Sequence, residues 1–323
     1  MREMTPMREV LKSLLIWTVV CLAAAVWLGY GKPAQIVGMF MVSGLAVGAL
    51  YALGGIGLVV LYRATGILNL SAGAIGALTV FSSWQMVQWG LPGPLAWALG
   101  LMLAVILAVA FGRGIAPAMA WREPVVKAVA TLGYALILMG FVSFFWSDDP
   151  RKFELPTDKI GVMIAGLRIT ATRLLVILSS IVFVLLITFA LERTRIGLSM
   201  RALANNRRLS SLIGIPIAKI ETVAWSLSGL LFGFAGLMFG DLVRMEPVAI
   251  TFLVIPCIAA AICGRLQSLP LVLIGGMGIG VIESLLTFSD TFKAIRPMAP
   301  YVVAIIVLLF MNAGRKLTFA GAD

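Results

Sequence analysis

The sequence contains no histidine, and its three cysteines, Cys21, Cys257 and Cys263, all fall inside apolar runs. Without imidazole, and with no acidic partner near the thiols, zinc, haem and Cys-His catalysis are poor candidates. Cys257 and Cys263 stand about 240° apart around a helix, so they do not share a face, and buried thiols acting as small apolar side chains are expected. Charge is scarce too. Only 12% of the 323 residues are charged against 61% hydrophobic, and the mean hydropathy is +1.06, which excludes one water-facing globular domain. A phosphate-binding loop is also missing: GYGKP at 29–33 lacks the GxxxxGK[ST] spacing and the hydroxyl that holds magnesium. If ATP is used, another chain must supply its site.

Long apolar runs are what the chain has. A helical span needs roughly 20 apolar residues, and such runs occupy 12–30, 36–61, 67–87, 95–112, 125–146, 174–191, 220–240, 248–263, 270–288 and 297–313. This pattern predicts an all-α integral membrane protein. It would be a single transmembrane domain over 1–323, a polytopic bundle of about ten segments. The segments at 67–87 and 248–263 read as re-entrant or broken helices, so eight spans plus re-entrant segments is the alternative. The first run follows a basic N-terminus as a signal peptide would. Its full-span length and the lack of a small-x-small cleavage site predict a retained helix instead.

The net charge of +11 and pI of about 10.1 have a topological reading. With both termini in the cytoplasm, Arg63, Arg113, Arg122, Lys127, Arg193, Arg195, Arg201, Arg207, Arg208, Lys219, Arg265, Arg315 and Lys316 fall in inner loops together with the basic N-terminus. The outer loops carry Lys32, Arg151, Lys152, Lys159, Arg168, Arg173, Arg244, Lys293 and Arg296, close to balanced by acids such as Asp148, Asp149, Glu154 and Asp158. That is the positive-inside asymmetry. It suggests contact with anionic lipid, not nucleic acid.

Four features carry the remaining information. Glycines recur at small-xxx-small spacing at Gly44 and Gly48, at Gly276 and Gly280, and at Gly229, Gly233, Gly236 and Gly240, a pattern that lets helix backbones approach closely in lipid. The cytoplasmic segment at 192–219 places Met200, Leu203 and Ala204 on one helical face and Arg201, Asn205 and Arg208 on the next. This predicts a short amphipathic helix, either an anchor on headgroups or a docking surface for a soluble partner. The run GILNLSAGAIG at 66–76 brings Asn69, Ser71 and Gly73 to membrane depth, where polar groups either bond to neighbouring helices or line an aqueous path. Glu283 is the acid set well inside a span, roughly 7 Å below its outer end. It could serve as a hydrogen-bonded structural group or stand on the substrate path.

Three stretches resemble the membrane subunits of branched-chain amino acid ABC importers. They are GLAVGALYALGGIGLVVLYRATGILNLSAG at 44–73, TRIGLSMRALANNRRLSSLIGIPIAKIETVAWSLSGLLFGFAGLM at 194–238, and CGRLQSLPLVLIGGMGIGVIESLL at 263–286. They occur in the family's order over about a third of the chain. The resemblance implies a permease subunit of the bacterial inner membrane, without catalysis of its own, that works with a second homologous permease subunit and two ATP-binding subunits carrying ATP and Mg. An extracytoplasmic solute-binding protein would deliver the cargo. It also implies that Asn69, Ser71 and Gly73 belong to the substrate path, where Glu283 is a candidate by its depth in the span alone, and that Arg195, Met200, Arg201, Leu203, Ala204, Asn205 and Arg208 belong to the ATPase-coupling segment. Departures concern cargo. Ala72 stands where family members often have histidine or glutamine, Gly264 and Arg265 stand where they have a glycine pair, and the tail NAGRKLTFAG replaces an Arg-Pro-x-Gly ending. Related monosaccharide permeases share GILNLSAG with an acid at the position of Asn69. Branched-chain amino acids are therefore the family default, and urea, amides, carboxylates and sugars stay open. An ATP-independent secondary carrier stays as the less favoured alternative, since one embedded acid without histidine offers few ligands for a coupling ion, and a membrane-embedded enzyme would need a catalytic cluster that this sequence lacks.

Overall fold

The computed structural model describes residues 7–147, 149–151, 160–164, 167–243, 245–289, 292 and 296–312. In chain order its helices are α1 (Met7–Leu28), α2 (Ala34–Thr65), α3 (Ala72–Gln88), α4 (Gly93–Gly114) and α5 (Pro124–Trp146). A small hairpin, β1 (Gly161–Ile164) and β2 (Leu167–Thr170), pairs antiparallel with Val162 opposite Ile169. Then come α6 (Ala171–Arg193), α7 (Arg195–Asn205), α8 (Arg207–Leu212), α9 (Ile217–Leu242), α10 (Pro247–Thr251), α11 (Val254–Cys263), α12 (Leu269–Leu285) and α13 (Ala299–Asn312).

Helix α2 forms because 32 residues pass without proline and without charge before Arg63. At about 1.5 Å per residue it runs to roughly 48 Å, longer than a hydrocarbon core. Every residue from 48 to 61 is buried, so α2 is the post around which α6, α9, α11 and α12 assemble. Glycine makes this possible. A Cβ on Gly48 would lie 2.5 Å from the Gly276 carbonyl oxygen, and one on Gly44 would lie 2.6 Å from that of Gly280. The two small-xxx-small pairs read from the sequence therefore face each other across α2 and α12. On α9 the four glycines divide: Gly229 and Gly233 admit Ala104 and Ala108 of α4, while Gly236 and Gly240 admit Gly76 and Val80 of α3. Helix α1 packs on α12, with the Trp17 ring over Gly278 and Cys21 buried beside it.

Among the described residues, seven helices are long and apolar enough to cross a membrane, fewer than the ten segments read from hydropathy. Of the other three, 67–87 begins outside any helix and continues as the 17-residue α3. The segment at 248–263 is interrupted between α10 and α11, and the described part of 297–313 is a 3-10 turn followed by the 14-residue α13. Hydropathy counts apolar side chains and is blind to a backbone that leaves the helix inside protein. The short amphipathic helix expected within 192–219 is two helices, α7 and α8, between the end of α6 and the start of α9: Asn206 takes an extended conformation and its side-chain oxygen caps α8 by accepting from Leu209 N at 3.0 Å. Arg2, Asp148, Lys152, Glu154, Asp158, Lys159, Arg244, Lys293, Arg315 and Lys316, all part of the charge reading, lie outside the described residues.

Cross-element contacts gather the basic residues at one end of the bundle. Arg113 Nε donates to Thr222 Oγ1 at 3.1 Å, and Arg63 donates to the Gln267 carbonyl at 3.2 Å. Arg207 pairs with Glu221, and Arg208 lies 5.5 Å from the centre of the Trp121 ring. The ends of α2 and α4, the starts of α9 and α12, and α7–α8 thus share one face. Arg151 and Arg296 belong to contacts at the other end.

Candidate functional site

Helix α2 ends at Gly66, whose φ of 68° is the left-handed conformation that glycine adopts without strain. The backbone is then non-helical until Ser71. Inside a membrane each freed N–H and C=O needs a partner, and side chains supply several of them. Thr65 Oγ1 accepts from Ile67 N at 3.1 Å, and Asn69 Oδ1 accepts from Ser71 N at 3.1 Å and Ser71 Oγ at 2.6 Å. Thr131 of α5 reaches across to accept from Leu70 N at 3.1 Å and lies 3.1 Å from the Leu68 carbonyl oxygen. Asn69 and Ser71 are 1% and 0% exposed. In this conformation they hold the unwound segment in shape.

A second interruption meets the first. Pro256 has no N–H to give to residue 252, and its ring crowds that carbonyl, so the chain turns at 252–253 between α10 and α11. The end of α10 then abuts the start of α3. A Cβ on Gly73 would fall on the Thr251 carbonyl, at 2.9 Å from its carbon and 3.1 Å from the Ile250 oxygen. The buried Thr251 hydroxyl has no hydrogen-bond partner among the described residues. The two interrupted stretches thus meet at a joint within the glycine-packed bundle.

Glu283 lies elsewhere. It accepts a hydrogen bond from Tyr51 of α2 at 2.8 Å and faces Arg296 Nε at 3.5 Å, with its own side chain 12% exposed. Tyr51 stands fourteen residues before Thr65 on α2, roughly 21 Å along the helix. The structure therefore gathers Asn69, Ser71 and Gly73 and leaves Glu283 in a separate cluster. Glu283→Gln keeps an acceptor for Tyr51 and gives up the charge facing a partly exposed arginine, a loss offset by no longer burying a carboxylate. Uptake within about twofold of wild type and a small loss of heat stability are expected, read by transport assay and thermal unfolding. Abolished uptake with normal assembly would place Glu283 on the substrate path.

Helix α7 is capped by Thr194 Oγ1, which accepts from Gly197 N at 3.2 Å. Gly197, Met200 and Leu203 are buried where α7 packs on α2 and α6. Met200 and Leu203, expected on a partner-facing surface, are thus spent inside the chain, where they fix the pose of the helix. Arg195, Arg201, Ala204, Asn205 and Arg208 are exposed. They are joined by Leu198 at 62%, Ile213 at 66% and Leu212 at 83% exposed. The result is a shelf of arginines with protruding leucines, held rigidly over the end of α2.

Tyr51, Thr131, Thr251 and Arg151 were not singled out by sequence. Thr131 and Tyr51 are polar residues within apolar runs, which marks them in hindsight. Their partners lie 61 and 232 residues away, a pairing no local pattern encodes.

Residues 40–312 match the family described as branched-chain amino acid transport system, permease component. Over 293 residues the chain is 24% identical to the high-affinity branched-chain amino acid transport system permease protein LivH of Escherichia coli (strain K12), covering 85% of this chain and 93% of that protein. It is 26% identical to the corresponding permease protein BraD of Pseudomonas aeruginosa, covering 85% and 94%. The ribose import permease protein RbsC of Escherichia coli (strain K12) is 29% identical over 200 residues, which is 61% of this chain and 60% of that protein.

Proposed function

Because the chain belongs to the family of branched-chain amino acid transport permease components, we propose that it is one of two membrane subunits of an ATP-driven importer that takes up a branched-chain or similar small amino acid. The observation that carries this reading is the extent of the family match, which runs from α2 to α13 and so includes both the glycine-locked core and the α7–α8 shelf. The basic end faces the cytoplasm of a bacterial inner membrane, with both termini on that side. Two separate ATPase subunits, which hold ATP and Mg, dock against α7 and α8, and a second homologous permease completes the pathway. An extracytoplasmic binding protein delivers cargo at the opposite end. Hydrolysis on the partners rocks the rigid shelf, and the joint at Gly73 and Thr251 converts that motion into alternating access.

The likeness to a ribose permease supports a second reading, in which the cargo is another small solute of the same superfamily. Uptake of labelled leucine into vesicles carrying the whole complex decides between them when challenged with unlabelled amino acids, amides, carboxylates and ribose. Competition by isoleucine and valine alone is expected, and competition by ribose alone would favour the second reading. Sidedness is checked separately. A cysteine at Met163 in the exposed hairpin should react with an impermeant thiol reagent from outside intact cells, and one at Asn206 should react only after lysis. The reverse pattern would invert the topology.

A further inference from the structure

We propose that Arg151 is a positioning residue that couples the long loop between α5 and α6 to the joint between α3 and α10. Three attachments converge on it. Its backbone exchanges two hydrogen bonds with Met245, at 2.9 and 3.0 Å, just before α10. Its Nη2 donates to the carbonyl of Trp146, the last residue of α5, at 2.6 Å. Its guanidinium lies 4.6 Å from the centre of the Trp84 ring on α3, and the neighbouring Gln85 accepts from Trp146 Nε1 at 3.0 Å. The side chain thus ties together the ends of α3 and α5, and the backbone of the same residue ties them to the approach to α10.

The same two elements meet again deep in the bundle. Trp84 is eleven residues from Gly73 on a continuous helix, roughly 17 Å, and Met245 leads through α10 to Thr251. Arg151 above and the Gly73–Thr251 contact below therefore close a loop of rigid parts. A push on 149–151 must move α3 and α10 together or undo the clasp. Loops carry binding surfaces, and the one between α5 and α6 is where a docked binding protein would press. A planar guanidinium can stack on indole while donating in its own plane; an ammonium cannot match both contacts.

The inference rests on the proposed importer reading and is tested on the reconstituted complex, with Arg151→Gln, Arg151→Lys and Trp84→Leu compared with wild type. Three quantities are measured: the amount of assembled complex, the affinity for loaded binding protein, and ATP hydrolysis with and without it. Expected is a loss of stimulation of about tenfold, within the usual range of coupling between sites. Assembly, unstimulated hydrolysis and binding-protein affinity should stay within about twofold of wild type, and Lys should not rescue. Stimulation retained in Arg151→Gln, or unstimulated and stimulated rates falling in parallel, or failure of all three variants to assemble, would each reduce Arg151 to a structural tie. A wild-type complex that never responds to binding protein would overturn the importer reading itself.

Discussion

Leucine at position 73 should cut uptake to less than about a tenth of wild type while leaving the complex assembled in the membrane. Gly73 has no room for even a Cβ, because the Thr251 carbonyl occupies that space. Overpacking a tight contact costs typically 1–3 kcal/mol, and here the cost falls on the joint that must open and close. Assembly should survive because α3 begins and α10 ends at this point, so the two can separate without disturbing the α2–α12 interface. The contrast is Gly48→Leu, where the obstructing atoms belong to the uninterrupted backbone around Gly276 and Met277. That variant should fail to accumulate at all. Uptake normalised to the quantity of purified complex separates the two cases. Normal transport by Gly73→Leu would reduce the joint to ordinary packing.

Ala204→Glu should abolish stimulated ATP hydrolysis and uptake with this chain still folded and paired. Ala204 is exposed at the last turn of α7, so the substitution costs the chain's own fold little. If the shelf seats in a cleft of the ATPase subunit, the new carboxylate is buried without a partner, at a cost on the order of several kcal/mol, and each 1.4 kcal/mol is about tenfold in affinity. Arg208→Glu should do less, since an exposed ion pair is worth about 0–1 kcal/mol, although it also gives up the contact with Trp121. Hydrolysis by the reconstituted complex, with and without loaded binding protein, reads both variants. Unchanged stimulation in Ala204→Glu would return α7 to the role of a basic anchor on lipid headgroups.

The glycine pairs show how far sequence reading reaches. Spacing alone exposes the small faces of α2, α9 and α12, because the 3.6-residue period is local. That Gly44 and Gly48 meet Gly280 and Gly276, while α9 shares its four glycines between α3 and α4, is a matter of tertiary register. Asn69, Ser71 and Gly73 were legible as an anomaly, polar groups and glycine where a span should begin. The hydrogen bonds that Thr131 makes with their neighbours Leu68 and Leu70 depend on α5 arriving from about 60 residues away. Pro256 could have flagged the break at 252–253, but within so apolar a run the hydropathy signal hid it. The amphipathic face of α7 was visible too, yet an apolar stripe does not say whose core it enters: Met200 and Leu203 turn into this chain, and Leu198 and Leu212 turn away.

The most direct measurement is uptake of labelled leucine into proteoliposomes containing this chain and its permease partner, with and without the two ATPase subunits, ATP inside and loaded binding protein outside. Expected is accumulation only when the ATPase subunits, internal ATP and binding protein are all present, indifferent to an imposed proton or sodium gradient. Accumulation driven by such a gradient in vesicles holding this chain alone would contradict the importer account and make the protein a secondary carrier.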